Sequence, residues 1–126
     1  MTTAGFVFAA IAVALHVYIW VLESYLWTSD STIRKFGISK AQAEQTKQLA
    51  YNQGFYNLFL AVIAAVGLIF LLREQFVEAG WALVTAGLGS MVAAGLVLAL
   101  NDRRKLRPAI MQLTSPLLAL LFLYLA

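Results

Sequence analysis

Apolar residues in this chain fall neither in alternation nor in a stripe along one helix face. They come in four long runs, at about Gly5 to Leu26, Leu49 to Leu72, Gly80 to Leu100 and Ala109 to Leu125. A helix rises 1.5 Å per residue, so roughly 20 apolar residues cross a hydrocarbon core of about 30 Å. The last run is the shortest; Pro108, a residue suited to a first helical turn, would extend it. A closed barrel, the other way to span a bilayer, needs strands of alternating polarity, and these runs are continuously apolar. The pattern therefore predicts an all-α fold. It is a polytopic membrane protein, a four-transmembrane-helix bundle forming one domain over residues 1–126, with short loops and one cytoplasmic interfacial segment.

The first run is read as a retained helix rather than a cleaved signal. No basic residue precedes it, and it ends in Trp20, Glu23, Tyr25 and Trp27. Composition strengthens the membrane reading. Hydrophobic residues make up 62% of the chain and charged residues 12%, against roughly 45–50% and about 25% in soluble domains. A chain of 126 residues cannot hide that much apolar surface in a core of its own. Cysteine is absent, which excludes disulfides, thiolate chemistry and cysteine-held metal or haem. No cofactor and no metal are expected, because the single histidine and the scattered carboxylates do not make a three- or four-ligand set.

Charge sets the expected direction of the spans. Arg34, Lys35, Lys40 and Lys47 lie in the first connection, and Arg103, Arg104, Lys105 and Arg107 in the third; together they are eight of the nine basic residues. Arg73 alone, beside Glu74 and Glu78, lies in the second. The positive-inside rule makes the basic face cytoplasmic, with both termini outside, in the cell membrane. So strong a bias argues against dual topology. It also removes nucleic acid from the expected partners, since Arg103-Arg104-Lys105 reads as a stop-transfer and headgroup anchor. The first connection, Thr28 to Gln48, is the long one. Ser39 and Gln42 suit a capping box for a helix that starts at Lys40 and runs into the second span, and Asp30-Ser31-Thr32 suggests a short helix or turn before it.

Polar side chains inside the apolar runs are costly in lipid and turn inward. His16, Trp20 and Glu23, at i, i+4 and i+7, share a face of the first helix, with Glu23 about 10 Å nearer the basic side than His16. The second run opens with Asn52, Gln53, Tyr56 and Asn57 around Gly54, and the fourth carries Gln112 near its start. All sit in the half of the spans nearest the basic loops. They predict a polar site open to the cytoplasm. The plainer alternative is interhelical glue, worth about 0.6–2 kcal/mol per amide or hydroxyl bond. The glycines, alanines and Ser90 of the third run predict close helix packing, within the bundle or between copies.

These residues also carry a resemblance. His16-Val17-Tyr18-Ile19, Leu22-Glu23, Leu26-Trp27, Phe36-Gly37 and above all the run from Ala50 through Asn52-Gln53-Gly54, Tyr56-Asn57 and Phe59-Leu60-Ala61 resemble the domain-of-unknown-function 1304 family of small bacterial and fungal membrane proteins. Gln112 and Pro116 are similar too, although Leu113-Thr114-Ser115 stands where that pattern has small residues. The resemblance covers nearly the whole chain. It implies a four-helix membrane protein of this length and no activity.

Three functions suit these residues. One is a small transporter or channel shared between copies, with Glu23 exchanging a cation or proton for substrate. The second is a membrane-embedded enzyme using His16 and Glu23 as an acid–base pair on a lipid-soluble substrate. The third is a non-catalytic accessory or scaffold protein. The expected partners are membrane lipids, further copies of the chain, and a small molecule or ion.

Overall fold

The computed structural model of the chain describes residues 2–125. Helices α1 (Thr3–Ser24), α2 (Asp30–Phe36), α3 (Lys40–Gln45), α4 (Lys47–Leu71), α5 (Val77–Asn101) and α6 (Leu106–Leu125) follow in order, with single 3-10 turns at Glu74–Phe76 and Arg103–Lys105. There is no strand among the described residues. Four segments, Thr3–Ser24, Lys47–Leu71, Glu74–Asn101 and Arg103–Leu125, are long and apolar enough to cross a membrane.

The four long helices form a ring in which α1 packs on α4, α4 on α5, α5 on α6 and α6 on α1. Each pair is antiparallel, which the short α4–α5 and α5–α6 connections require for those two pairs. Gly5, early in α1, lies against Leu123, late in α6; Gly80, early in α5, lies against Leu71, at the end of α4; and Gly95, late in α5, lies against Leu113 of α6. The start of α1 and the end of α6 thus share one end of the bundle, and the basic connections share the other. At the first end the Thr2 hydroxyl caps α1 by accepting from the Gly5 N–H and donates to the Phe122 carbonyl.

What is buried and what is exposed reverse the habit of soluble proteins. The centre is built largely from small residues, Ala9, Ala12, Ala64 and Ala119, closed by Val84, Leu88 and Met91. Large apolar side chains point outward all round the bundle, with Leu72 70% and Leu100 86% exposed. Small residues inside let helix backbones approach, and large ones outside face an apolar medium. That partition is the physical argument for lipid around this fold, and it needs no amphipathic stripe on any helix.

Gly80, Gly87 and Gly95 of α5 face into the bundle, whereas Ala86 and Ser90 are exposed on its outer side. At the basic end, Ser29 caps α2, which closes on Gly37 in the left-handed region at φ 66°. Ser39 and Gln42 form the capping box of α3. α3 does not run on into α4 as its sequence suggested. The chain leaves helical geometry at Thr46, whose hydroxyl donates to the Gln42 carbonyl at 2.7 Å, a local side-chain bond that competes with helix continuation. α6 begins at Leu106, before the apolar run, and the first-turn position of Pro108 needs no N–H partner.

Candidate functional site

The long α1–α4 connection folds under the basic end of the bundle. The Trp27 indole N–H donates to the Thr46 hydroxyl at 3.1 Å, and its ring leans on Phe36 with centroids 5.1 Å apart. These contacts bring α3 beneath the cleft and hold α2 beside α1. α2 is tied further by Lys35, whose ammonium donates to the Tyr18 hydroxyl at 2.5 Å and sits 5.2 Å from its ring centroid.

Between this floor and the helices lies a cleft of about 490 Å³. Glu23 of α1, Gln53 and Asn57 of α4 and Gln112 of α6 line it from the bundle, and Gln42, Gln45 and Thr46 line it from the connection. Two spans meet directly here. Asn57 Nδ2 donates to Glu23 Oε1 at 2.5 Å and also lies 3.3 Å from the Gln53 carbonyl. Beside them Ser24 donates to the Tyr51 carbonyl at 2.8 Å. Gly54 makes this approach possible: a Cβ there would lie 3.0 Å from the Trp20 carbonyl oxygen and 3.1 Å from Glu23 Cβ, and would strike the Ser24 hydroxyl.

Among the described residues Glu23 has no ion-pair partner, and the single ion pair is Arg104 with Asp102 at 3.2 Å. Lys105 lines the same cleft without closing that gap. Asp102 lies outside the long apolar segments. The Arg104 backbone N–H and then its guanidinium hold the Asp102 carboxyl below its ordinary value, which fastens the turn into α6.

The eight residues expected to form one polar site divide. Glu23, Gln53, Asn57 and Gln112 line the cleft. His16 and Trp20 do not. His16 is buried two helical turns away, and its Nδ1 donates to the Ala12 carbonyl at 2.9 Å, within its own helix. A carbonyl only accepts, so the proton sits on Nδ1, and no hydrogen bond joins His16 to Glu23. Trp20 packs edge-on against Tyr25 and Phe55, with its indole nitrogen buried and without a partner. Asn52 and Tyr56 lie on the outward side of α4, exposed, with Tyr56 at 70%. Successive helix positions turn by about 100°, so residues next to Gln53 and Asn57 in sequence leave the cleft face.

Sequence reasoning missed Gln42, Gln45, Thr46 and Lys105. The amides of the capped helix α3 were the available signal, but tertiary contacts such as Trp27–Thr46 bring them under the bundle. No three histidine or carboxylate side chains converge among the described residues. What remains is a carboxylate among amides, an arrangement that accepts hydrogen bonds from a cation or from an N–H donor and offers donors in return.

The family model described as a protein of unknown function (DUF1304) matches residues 10–124. No curated protein and no solved structure matches the chain.

Proposed function

The chain belongs to the DUF1304 family, and from that footing, which brings no activity with it, we propose a small membrane carrier that binds a solute with a cationic or N–H-donating group at Glu23. The observation that carries the reading is the Glu23 carboxylate, held by Asn57 inside a 490 Å³ cleft and left without an ion-pair partner among the described residues. A carboxylate kept from bulk water costs free energy until a proton or a cation meets it. Either can therefore occupy the site, and exchange between them couples solute to proton.

The far half of the bundle supports a carrier over an open channel. There the core is closed by Ala9, Ala12, Val84, Leu88 and Leu123, none more than 2% exposed. Solute in the cleft would pass only if that half opened in turn. Four helices are few to enclose such a path, and two copies sharing it is part of the proposal. By the charge bias the cleft opens to the cytoplasm of the cell membrane, with both termini outside. The enzyme reading has less behind it, because His16 does not line the Glu23 cleft.

The test is uptake by the full chain in sealed vesicles of neutral phospholipid under an imposed pH gradient. Guanidinium and ethylammonium serve as cationic probes, acetamide as the neutral N–H donor and acetate as the anion. Saturable, gradient-driven accumulation of a cationic or amide probe, with none of acetate, is the expected result. Accumulation of none of the probes above protein-free vesicles, with no saturable binding to the purified chain, would overturn it.

A further inference from the structure

A second cavity, about 370 Å³, lies on the other side of Phe36 and Gln112, between α1, α2 and α6. Leu15, Ile19 and Met111 supply its apolar floor, and Arg34, Lys35 and Arg107 its basic side. No carboxylate lines it. None of the three cations is in an ion pair among the described residues. All three are exposed, at the end of the bundle where the apolar helices stop. From Leu22 to Leu15 the α1 wall of this groove leads about 10 Å into the apolar belt.

We propose that this groove holds one anionic glycerophospholipid, its phosphate at Arg34, Lys35 and Arg107 and one acyl chain along α1 and α6. Each half of the ligand answers one half of the groove. Arg34 and Arg107 offer planar guanidinium forks suited to phosphate oxygens, from two different elements, which fixes position as well as charge. Lys35 is already oriented by its bond to Tyr18, so less side-chain freedom is lost when the headgroup arrives. The apolar floor would otherwise stand open to whatever lipid drifts past; basic pockets between spans select anionic headgroups. Uncharged water-soluble solutes find no use for the floor, and a free phosphate none for its length.

The site does not depend on Glu23. Phe36 and Gln112 wall both cavities, however, so a lipid seated here steadies two side chains of the Glu23 cleft.

Native mass spectrometry of the full chain in mild detergent tests the proposal, with dioleoylphosphatidylglycerol, dioleoylphosphatidylcholine and glycerol 3-phosphate as probes. The phosphatidylglycerol is expected to be retained about tenfold better than the phosphatidylcholine of equal chain length, and glycerol 3-phosphate not to displace it. The triple variant Arg34→Gln, Lys35→Gln, Arg107→Gln should lose that preference. The variant Lys40→Gln, Lys47→Gln, Arg73→Gln, which removes equal charge elsewhere, should keep it, as should Glu23→Gln. Leu15→Trp fills the floor, leaves every charge in place, and should lower retention of both lipids. Equal retention of the two lipids, equal loss in the two triple variants, full displacement by glycerol 3-phosphate, or unaltered retention in Leu15→Trp would each overturn the assignment.

Discussion

Glu23→Gln is expected to abolish solute-coupled proton movement while leaving the fold intact. The substitution keeps the length of the side chain and keeps an oxygen where Glu23 Oε1 accepts from Asn57 Nδ2. It removes only the charge and the proton that charge can carry. Cation accumulation in the vesicle assay should fall to the protein-free level, a loss of at least tenfold, because a neutral amide in an apolar surrounding gives a cation no counter-charge. Melting of the purified variant should stay within about 1 kcal/mol of the parent, since the interhelical bond is retained. Accumulation that survives in Glu23→Gln would place the coupling elsewhere. Loss of both melting and uptake would make Glu23 a structural group and favour the scaffold reading.

Two neighbours sharpen that experiment. Asn57→Leu leaves the carboxylate in place without its donor, so stability falls by about 1–3 kcal/mol in addition to any effect on uptake. Lys105 shares the cleft and repels the same cation that Glu23 attracts. Lys105→Gln should therefore tighten cation binding, the opposite direction to Glu23→Gln. Weaker binding in Lys105→Gln together with stronger binding in Glu23→Gln would argue that the cleft binds an anion.

The runs of apolar residues made the four long helices legible, because the length a bilayer demands is coarse and each run meets it. The level of the polar residues was legible for the same reason: depth follows from counting residues at 1.5 Å each. Rotation about each helix was not. At the start of α4 polar residues fall on more than one side, so no stripe marks the inward face, and Asn52 and Tyr56 read like Gln53 and Asn57 although they lie outside the cleft, on an outer groove that Gln53 and Asn57 also border. On α1 the spacing of His16, Trp20 and Glu23 was read as one shared face, yet what packs against that helix changes along it. At Trp20 the neighbours are aromatic, and at Glu23 they are amides. The contribution of α3 lay beyond periodicity altogether, because a tertiary hydrogen bond between Trp27 and Thr46 sets where that short helix lies.

Gly54→Leu is the substitution expected to damage the bundle most near the site. Its Cβ would meet the Trp20 carbonyl oxygen at 3.0 Å, and backbone cannot swing aside as a side-chain end can. α1 and α4 would have to separate, and overpacking of this kind costs about 3 kcal/mol, at the upper end of the usual range. Asn57 stands one turn beyond Gly54, so the same separation pulls it from Glu23 and opens the 2.5 Å bond. Melting and cation binding should fall together. Gly54→Ala should do less, because the Ser24 hydroxyl can rotate away and only the contacts with the Trp20 carbonyl and Glu23 Cβ, at 3.0 and 3.1 Å, remain to be relieved. Gly89→Leu is the matched control: nothing lies within 4 Å of a Cβ at that position, and its melting should not fall below the parent's, since a glycine inside a helix is also removed. Thermal unfolding of the three variants in one detergent decides the matter. If Gly54→Leu melts with Gly89→Leu, α1 and α4 do not meet at Gly54, and the carboxylate–amide contact that defines the cleft loses its support.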